Sequence, residues 1–131
     1  MSKSPVPQES LTVLLVDDDD AFRRALADNL RDDGHTVLEY GGPDDVPPSV
    51  LGNLSVIVTD YEMPGTNGLR FADRVHAARP TLPIVMLTAH HQASFVIEAA
   101  ARSFVHLLYK PVLYQRLHQL LCALVGDALH Q

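Results

Sequence analysis

Five polar side chains in this 131-residue chain follow directly on apolar runs that have the composition of buried strands. They are Asp17, Asp18, Asp60, Thr88 and Lys110. Carboxylates crowded into one place repel each other unless a proton or a cation is present. An all-oxygen ligand set favours a hard ion such as Mg²⁺ or Mn²⁺, and Mg²⁺ takes only one or two carboxylates. The residue types therefore indicate a metal site with one carboxylate left to attack phosphorus, and Asp60 is the predicted nucleophile.

The remaining two groups suit the charge that such a reaction creates. A phosphoryl group on a carboxylate needs a cation and a hydrogen-bond donor near its oxygens, and Lys110 and Thr88 would supply them. A simpler interpretation of the acidic run is a solvated turn with a helix cap. That interpretation is the better one for Asp19 and Asp20, since carboxylates favour helix N-termini.

Five short apolar runs predict the strands that position these groups. They are residues 11–16, 36–40, 54–60, 82–88 and 104–109. Amphipathic stretches with apolar residues at i, i+3 and i+4 lie between and after them and predict helices. Residues 41–53 contain enough Pro and Gly that a helix there must be short.

The strand and helix patterns alternate five times, which predicts an α/β fold with a parallel sheet and helices on both faces. Ligands of such sheets bind beyond the carboxyl ends of the strands. The polar residues that end the predicted strands should therefore meet at one edge.

Composition predicts a single domain, residues 11–131, after a flexible polar arm at residues 1–10. The net charge of −6, without a basic cluster, opposes binding to nucleic acid or to anionic lipid. No apolar run approaches the roughly 18 residues of a membrane span, which predicts a cytoplasmic protein. Cys122 is the only cysteine, which excludes an intrachain disulfide and, on sequence grounds, a cysteine-based zinc site.

Four segments in their order, "VLLVDDDD", "VIVTDYEMPGTNG", "PIVMLTAHH" and "LLYKP", resemble the response-regulator receiver domain of two-component signalling. The resemblance covers residues 11–126. It implies a flavodoxin-like (βα)5 sheet, doubly wound, with strand order 2-1-3-4-5. It also implies a signalling phosphoacceptor rather than an enzyme, which takes phosphate from a sensor histidine kinase or a histidine phosphotransfer protein. Phosphorylation would then change the surface of the fourth helix, fifth strand and fifth helix for a partner, an output domain or a second copy.

The resemblance also assigns roles at the metal site. It makes Asp60 the phosphoacceptor and Asp18 a direct ligand of Mg²⁺ (or Mn²⁺), with Asp17 acting largely through water. The backbone carbonyl of Glu62 would complete the protein ligands. The side chains of Glu62 and His90 are expected near the phosphoryl group, where they would tune the attack of water.

Thr88 matches the family's switch hydroxyl, and Lys110 its phosphate-binding lysine, followed by Pro111 in a dipeptide that is commonly cis. Gly68 matches the loop after the phosphoacceptor. One position departs from the family, because Leu107 stands where an aromatic residue usually changes rotamer. Coupling from Thr88 to the surface would then run through backbone motion or be weak.

Alternative functions differ in their sequence requirements. A phosphorylation-independent interaction module on the same fold is favoured only by Leu107. A haloacid-dehalogenase-type hydrolase needs a DxDx[TV] motif, but Asp60 is followed by "YEMP". A flavodoxin needs a hydroxyl- and glycine-rich phosphate loop where this chain has four aspartates. The chain also resembles receivers that are fused to sensor kinases, which leaves open a receiver cut from a hybrid kinase.

Overall fold

The structure is a computed structural model that describes residues 10–89 and 92–129, with side chains up to residue 126. Its five strands are β1 (Thr12–Val16), β2 (Thr36–Tyr40), β3 (Val56–Asp60), β4 (Ile84–Thr88) and β5 (Val105–Tyr109). All neighbouring strands are parallel, in the order β2-β1-β3-β4-β5. The predicted flavodoxin-like order 2-1-3-4-5 is therefore confirmed.

Four α-helices alternate with these strands in the described residues. They are α1 (Asp20–Asp32), α2 (Gly68–Ala78), α3 (Ala93–Ala100) and α4 (Tyr114–Leu129). Two short 3-10 helices, Pro43–Asp45 and Pro48–Asn53, take the place of a helix between β2 and β3. Proline removes backbone donors and stops an α-helix from propagating, so the short helix expected there is confirmed in 3-10 form. The predicted signalling surface consequently consists of α3, β5 and α4.

The helices cover the sheet in two layers, each with its own apolar core. Helices α1 and α4 pack Leu26, Leu30, Leu117 and Leu121 onto one face of the sheet. Helices α2 and α3 cover the other face through residues such as Phe71. Strands β3 and β4 are buried along their whole length, as expected for central strands of a parallel sheet.

Local signals in the sequence explain where the helices begin and end. The side chain of Asp19 caps α1 by accepting a hydrogen bond from the Phe22 amide at 3.1 Å. Asn67 caps α2 by accepting from the Arg70 amide at 2.9 Å. Gly34 follows α1 with φ +95°, a conformation that suits glycine. The caps at Asp19 and Asn67 lie between each acidic strand end and the helix that follows it.

Residues 1–9 of the expected N-terminal arm lie outside the described residues. Ser10 donates a hydrogen bond from its hydroxyl to the Gly34 carbonyl at 2.9 Å. Among the described helices, none has both the length and the apolar composition needed to cross a membrane.

Candidate functional site

Three acidic residues from two strand ends meet at the carboxyl edge of the sheet. Asp17 and Asp18 follow β1, and Asp60 is the last residue of β3. One oxygen of each carboxylate lies within 4.8 Å of the others. Asp17 and Asp60 are buried, whereas Asp18 is exposed. The structure thus brings together the three carboxylates that the strand pattern predicted to converge.

The Asp17 carboxyl is held by one hydrogen bond and has one oxygen to spare. Its Oδ1 accepts from the Asp19 amide at 2.9 Å, and its buried Oδ2 has no hydrogen-bond partner among the described residues. Burial raises the pKa of Asp17 to about 6, although the Asp19 amide opposes that shift. The charges of Asp60 and Asp18 add to the rise, and that of Lys110 counteracts it. The side chain is costly to ionise here unless a cation compensates it.

Asp60 faces Lys110 across the same edge. The Lys110 Nζ lies 3.0 Å from Asp60 Oδ1 in an ion pair, and this buried oxygen has no further polar partner within the described part of the chain. Burial raises the pKa of Asp60, the lysine opposes the rise, and the charge of Glu62 adds to it. Burial also acts to lower the pKa of Lys110, but Asp60 and the other carboxylates outweigh it and raise the pKa overall. Lys110 is therefore a cation at neutral pH.

Thr88 and Lys110 end neighbouring strands and are joined through the main chain. Thr88 is the last residue of β4 and is fully buried, and its carbonyl accepts a hydrogen bond from the Lys110 amide at 2.8 Å. The Lys110–Pro111 peptide bond is cis, which confirms that expectation. The Lys110 Nζ also lies 5.5 Å from the centre of the Phe22 ring on α1. The switch hydroxyl and the lysine predicted from the sequence thus share the edge with the carboxylates.

Arg23 of α1 is a buried part of this site that sequence reasoning missed. Its guanidinium donates to the Asp17 carbonyl at 2.7 Å and to Glu39 Oε1 of β2 at 3.2 Å. It also forms an ion pair with Asp20 at 2.7 Å. The signal was available, since Arg23 lies three and seven residues before two apolar positions of α1 and thus on its buried stripe.

Gly68 begins α2 directly against the backbone of the Asp60 segment. A Cβ at this position would lie 2.8 Å from the Asp60 carbonyl oxygen and 2.9 Å from Tyr61 Cα. The Gly68 amide donates to the Tyr61 carbonyl at 3.0 Å. Only glycine allows this close approach, which agrees with the position of Gly68 in the predicted loop.

Three further residues named from the sequence have different outcomes. The Glu62 side chain is exposed, and its charge acts on Asp60. His90 lies outside the described residues. Leu107 is half-buried and packs against the core cluster under α2 and α3, while the nearby Tyr109 is partly exposed.

The carboxylate cluster fits a hard divalent cation. It offers only oxygen donors, and two buried carboxylate oxygens, Asp17 Oδ2 and Asp60 Oδ1, accept no hydrogen bond in the described part of the chain. Mg²⁺ prefers such donors and retains several waters, which the exposed Asp18 permits. The residues present therefore suit Mg²⁺ better than a transition metal that favours nitrogen or sulfur.

Residues 13–122 match the model of the response regulator receiver domain. The chemotaxis protein CheY of Pseudomonas aeruginosa is 33% identical over 113 residues, which are 83% of this chain and 91% of that protein. The response regulator FleR of the same species is 31% identical over 100 residues, 76% of this chain and 21% of FleR. The chain spans 24% of DctD, a C4-dicarboxylate transport transcriptional regulatory protein of Rhizobium meliloti. It thus spans about a quarter or less of these longer relatives.

Solved structures show the same fold. A CheY-like receiver domain from Methanospirillum hungatei JF-1 has a TM-score of 0.84 at 17% identity, with 92% of this chain and 97% of that chain covered. The chemotaxis protein CheY4 of Vibrio cholerae has a TM-score of 0.79 at 25% identity, with 88% and 99% covered. Together with the family match over most of the sequence, and with the strand order and acidic edge described above, these likenesses show that the chain belongs to the response regulator receiver domain family.

Proposed function

We propose that this receiver domain accepts a phosphoryl group on Asp60 from a phosphohistidine of a sensor histidine kinase or a histidine phosphotransfer protein. One observation carries the proposal: the buried Asp60 Oδ1 accepts no hydrogen bond within the described residues, yet lies 3.0 Å from the Lys110 ammonium. The oxygen is therefore available for a new bond, and a cation stands beside it.

In the proposed reaction an oxygen of Asp60 forms a bond to phosphorus while the bond from phosphorus to the histidine nitrogen breaks. The electron pair of that bond leaves with the imidazole. Lys110 compensates the charge on the phosphoryl oxygens, and the Thr88 hydroxyl donates a hydrogen bond to one of them. Asp17, Asp18, Asp60 and the Glu62 carbonyl would hold Mg²⁺, or Mn²⁺ in its place. When bound, the ion neutralises charge on the carboxylates and on the phosphoryl oxygens.

The test is incubation with acetyl phosphate and Mg²⁺ followed by intact-mass measurement. We expect a single gain of about 80 Da, the mass of one phosphoryl group, that is lost in Asp60→Asn. Asp28→Asn is the matched control, because Asp28 is an exposed carboxylate on α1 away from the acidic edge, and it should retain the gain. An undiminished gain in Asp60→Asn would contradict the assignment of the phosphoacceptor.

A phosphorylation-independent interaction module is the second candidate, favoured by Leu107 at the position of the usual aromatic residue. It predicts no mass gain in the wild type, with partner binding that is equal with and without acetyl phosphate. The same incubation therefore separates the two functions.

We further propose that phosphorylation changes the surface of α3, β5 and α4 for a partner, an output domain or a second copy of the chain. Support comes from three exposed apolar side chains on or beside these elements, namely Ile97 of α3, Tyr109 of β5 and Leu113 directly before α4. Ile97→Glu should weaken phosphorylation-dependent binding to a partner or a second copy and leave the mass gain intact. Ala77→Glu, an exposed site on α2, should change neither.

Glu62 is proposed to set the lifetime of the phosphoryl group. The charge of its carboxylate acts on Asp60, so it would also act on the approach of the water that hydrolyses the acyl phosphate. Glu62→Gln should change the rate of dephosphorylation without changing the mass gain at early times. A dephosphorylation rate equal to that of the wild type would remove this role from Glu62.

A further inference from the structure

A second cluster of possible metal ligands lies at the opposite edge of the sheet. His35 directly precedes β2, whereas the acidic residues lie at the carboxyl ends of β1 and β3. His118 and Cys122 lie four residues apart on α4 and meet His35 there, with one ligand atom of each within 4.8 Å of the others. The sequence excluded a cysteine-based zinc site because it contains one cysteine, but folding brings two histidines to that cysteine.

His118 and Cys122 have the geometry of a ligand pair. Residues at i and i+4 of a helix share a face, and His118 Nε2 lies 3.7 Å from Cys122 Sγ. Two such ligands on a tetrahedral Zn²⁺ are separated by about 3.5 Å, given its usual bond lengths to nitrogen and sulfur. The pair therefore needs little movement to bind one ion.

The Asp33 carboxylate lies near Nδ1 of His118, the ring nitrogen that does not belong to the cluster. Asp33 Oδ2 lies 4.0 Å from His118 Nδ1, and it accepts a hydrogen bond from the Tyr114 hydroxyl at 2.7 Å. At 4.0 Å this carboxylate is too far for a hydrogen bond, but a proton on His118 Nδ1 follows from the other nitrogen, because His118 Nε2 accepts the hydrogen bond from His35 Nε2. This is the tautomer that binds metal through Nε2.

His35 is the third possible ligand, and both of its ring nitrogens already take part in hydrogen bonds. Its Nδ1 accepts a hydrogen bond from the Leu11 amide at 3.0 Å, so the neutral ring carries its proton on Nε2. The His35 Nε2 donates this proton to His118 Nε2, and the two nitrogens lie 2.8 Å apart. Two imidazole nitrogens bound to one tetrahedral ion lie roughly 3.3 Å apart, so they would have to separate. Ligation by His35 thus displaces a hydrogen bond and a proton and separates the two rings. Its contribution to affinity should be smaller than that of the helix pair.

We propose that His118, Cys122 and His35 form a binding site for a borderline or soft transition-metal ion of the Zn²⁺ class. Imidazole and thiol donors select such ions, whereas the carboxylate cluster at the other edge selects hard ions. His35 is buried, but the His118 side chain is 20% exposed and Cys122 is half-buried, which leaves the ion a route from solvent. Burial raises the pKa of the Cys122 thiol, so binding releases its proton. The site is independent of the function proposed for Asp60.

Two measurements test the site with the full chain in excess Mg²⁺, which fills the acidic edge. Titration with Zn²⁺ against a competing chelator should give a single tight ion per chain. Titration with Co²⁺ should give the charge-transfer absorption of a thiolate–cobalt bond. Both signals should be lost in Cys122→Ser and His118→Gln. His106→Gln, a histidine on β5 outside the cluster, is the matched control and should retain both.

The remaining residues provide a graded prediction. His35→Gln should bind Zn²⁺ more weakly than the wild type while retaining the thiolate absorption. Asp33→Asn removes a nearby negative charge and should weaken Zn²⁺ binding by less than about tenfold, because Asp33 lies beyond hydrogen-bond distance of His118. Circular dichroism of each variant establishes that it is folded, and Cys122→Ala replaces Cys122→Ser if the latter is not. Absence of the thiolate absorption in the folded wild type, or equal Zn²⁺ affinity in folded Cys122→Ser, would overturn the proposal.

Discussion

At the scale of single residues, the most consequential side chain is the buried Asp17. Its pKa of about 6 means that the folded protein holds a proton there that the unfolded chain has lost above pH 3.8. The sign follows from the linkage of folding to protonation. The contribution of Asp17 to stability falls as the pH rises from about 4 to about 6, and above that range the ionised carboxylate destabilises the metal-free fold.

Asp17→Asn should therefore stabilise the protein at pH 7 in the presence of a chelator, by roughly 2 to 3 kcal/mol. The asparagine keeps the oxygen that accepts from the Asp19 amide but carries no charge. Urea denaturation of both proteins, with and without Mg²⁺, measures the effect. Excess Mg²⁺ should stabilise the wild type more than the variant, which retains Asp18 and Asp60; equal stabilisation of the two would contradict the place of Asp17 at the metal site.

Arg23 fixes the backbone of the acidic loop through its hydrogen bond to the Asp17 carbonyl. Arg23→Met removes the donor to the Asp17 carbonyl and leaves Glu39 with Arg31 as its remaining cation, so we expect a loss of about 1 to 3 kcal/mol in the free energy of unfolding. Mg²⁺ affinity should also fall, because the loop backbone is no longer fixed. Arg24→Met is the control, since the neighbouring Arg24 is exposed, and calorimetric titration with Mg²⁺ should distinguish the two. Equal Mg²⁺ affinities would show that Arg23 has no positioning role.

At the scale of secondary-structure elements, the start of α2 fixes the distance between that helix and the end of β3. Gly68→Ala would place a methyl group within 3 Å of two backbone atoms that cannot move aside. We expect a loss of about 1 to 3 kcal/mol in stability and slower phosphorylation, because the Asp60 backbone shifts. Gly52→Ala, at a position with no atom within 4 Å, is the matched control and should change stability little. The measurements are thermal unfolding and the rate of the mass gain, and unchanged behaviour in Gly68→Ala would refute the steric argument.

The sequence predicts the carboxyl edge of this sheet better than its other features. Asp60, Thr88 and Lys110 could be placed together because each ends an apolar run and the strands of an alternating β-α chain are parallel. The His35–His118 contact could not be predicted in this way, because it joins residues 83 apart and depends on how α4 crosses the sheet. Arg23 was missed because an arginine is normally expected to reach solvent, even when its position in the helix lies among the apolar residues of the buried face.

At the scale of the whole molecule, the response of stability to acid depends on histidines that the fold keeps neutral. Burial lowers the pKa of His106 on β5 below its usual 6.5. The unfolded chain therefore takes up a proton near pH 6.5 before the folded chain does, and the contribution of His106 to stability falls as the pH decreases below that value, opposite in sign to the contribution of Asp17. His35 has a pKa lowered for the same reason and adds to the effect.

As the pH decreases below 6.5, the stability of His106→Gln relative to the wild type should rise, by at most about 1.4 kcal/mol per pH unit. Urea denaturation between pH 5 and pH 8, values chosen on the order of the histidine titration range, measures the slope. A residual slope should persist from His35. Curves of wild type and variant that run parallel below pH 6.5 would contradict the role of His106.

The bond from the Lys110 amide to the Thr88 carbonyl has a consequence for how the domain would transmit a signal. Position 107 is a leucine, so it offers no aromatic ring that could change rotamer on phosphorylation. The ends of β4 and β5 are nevertheless joined by this main-chain hydrogen bond, so a displacement of the Thr88 backbone would also displace the Lys110 peptide. The signal would then be transmitted by a coupled shift of the carboxyl ends of β4 and β5, which requires no change of side-chain rotamer.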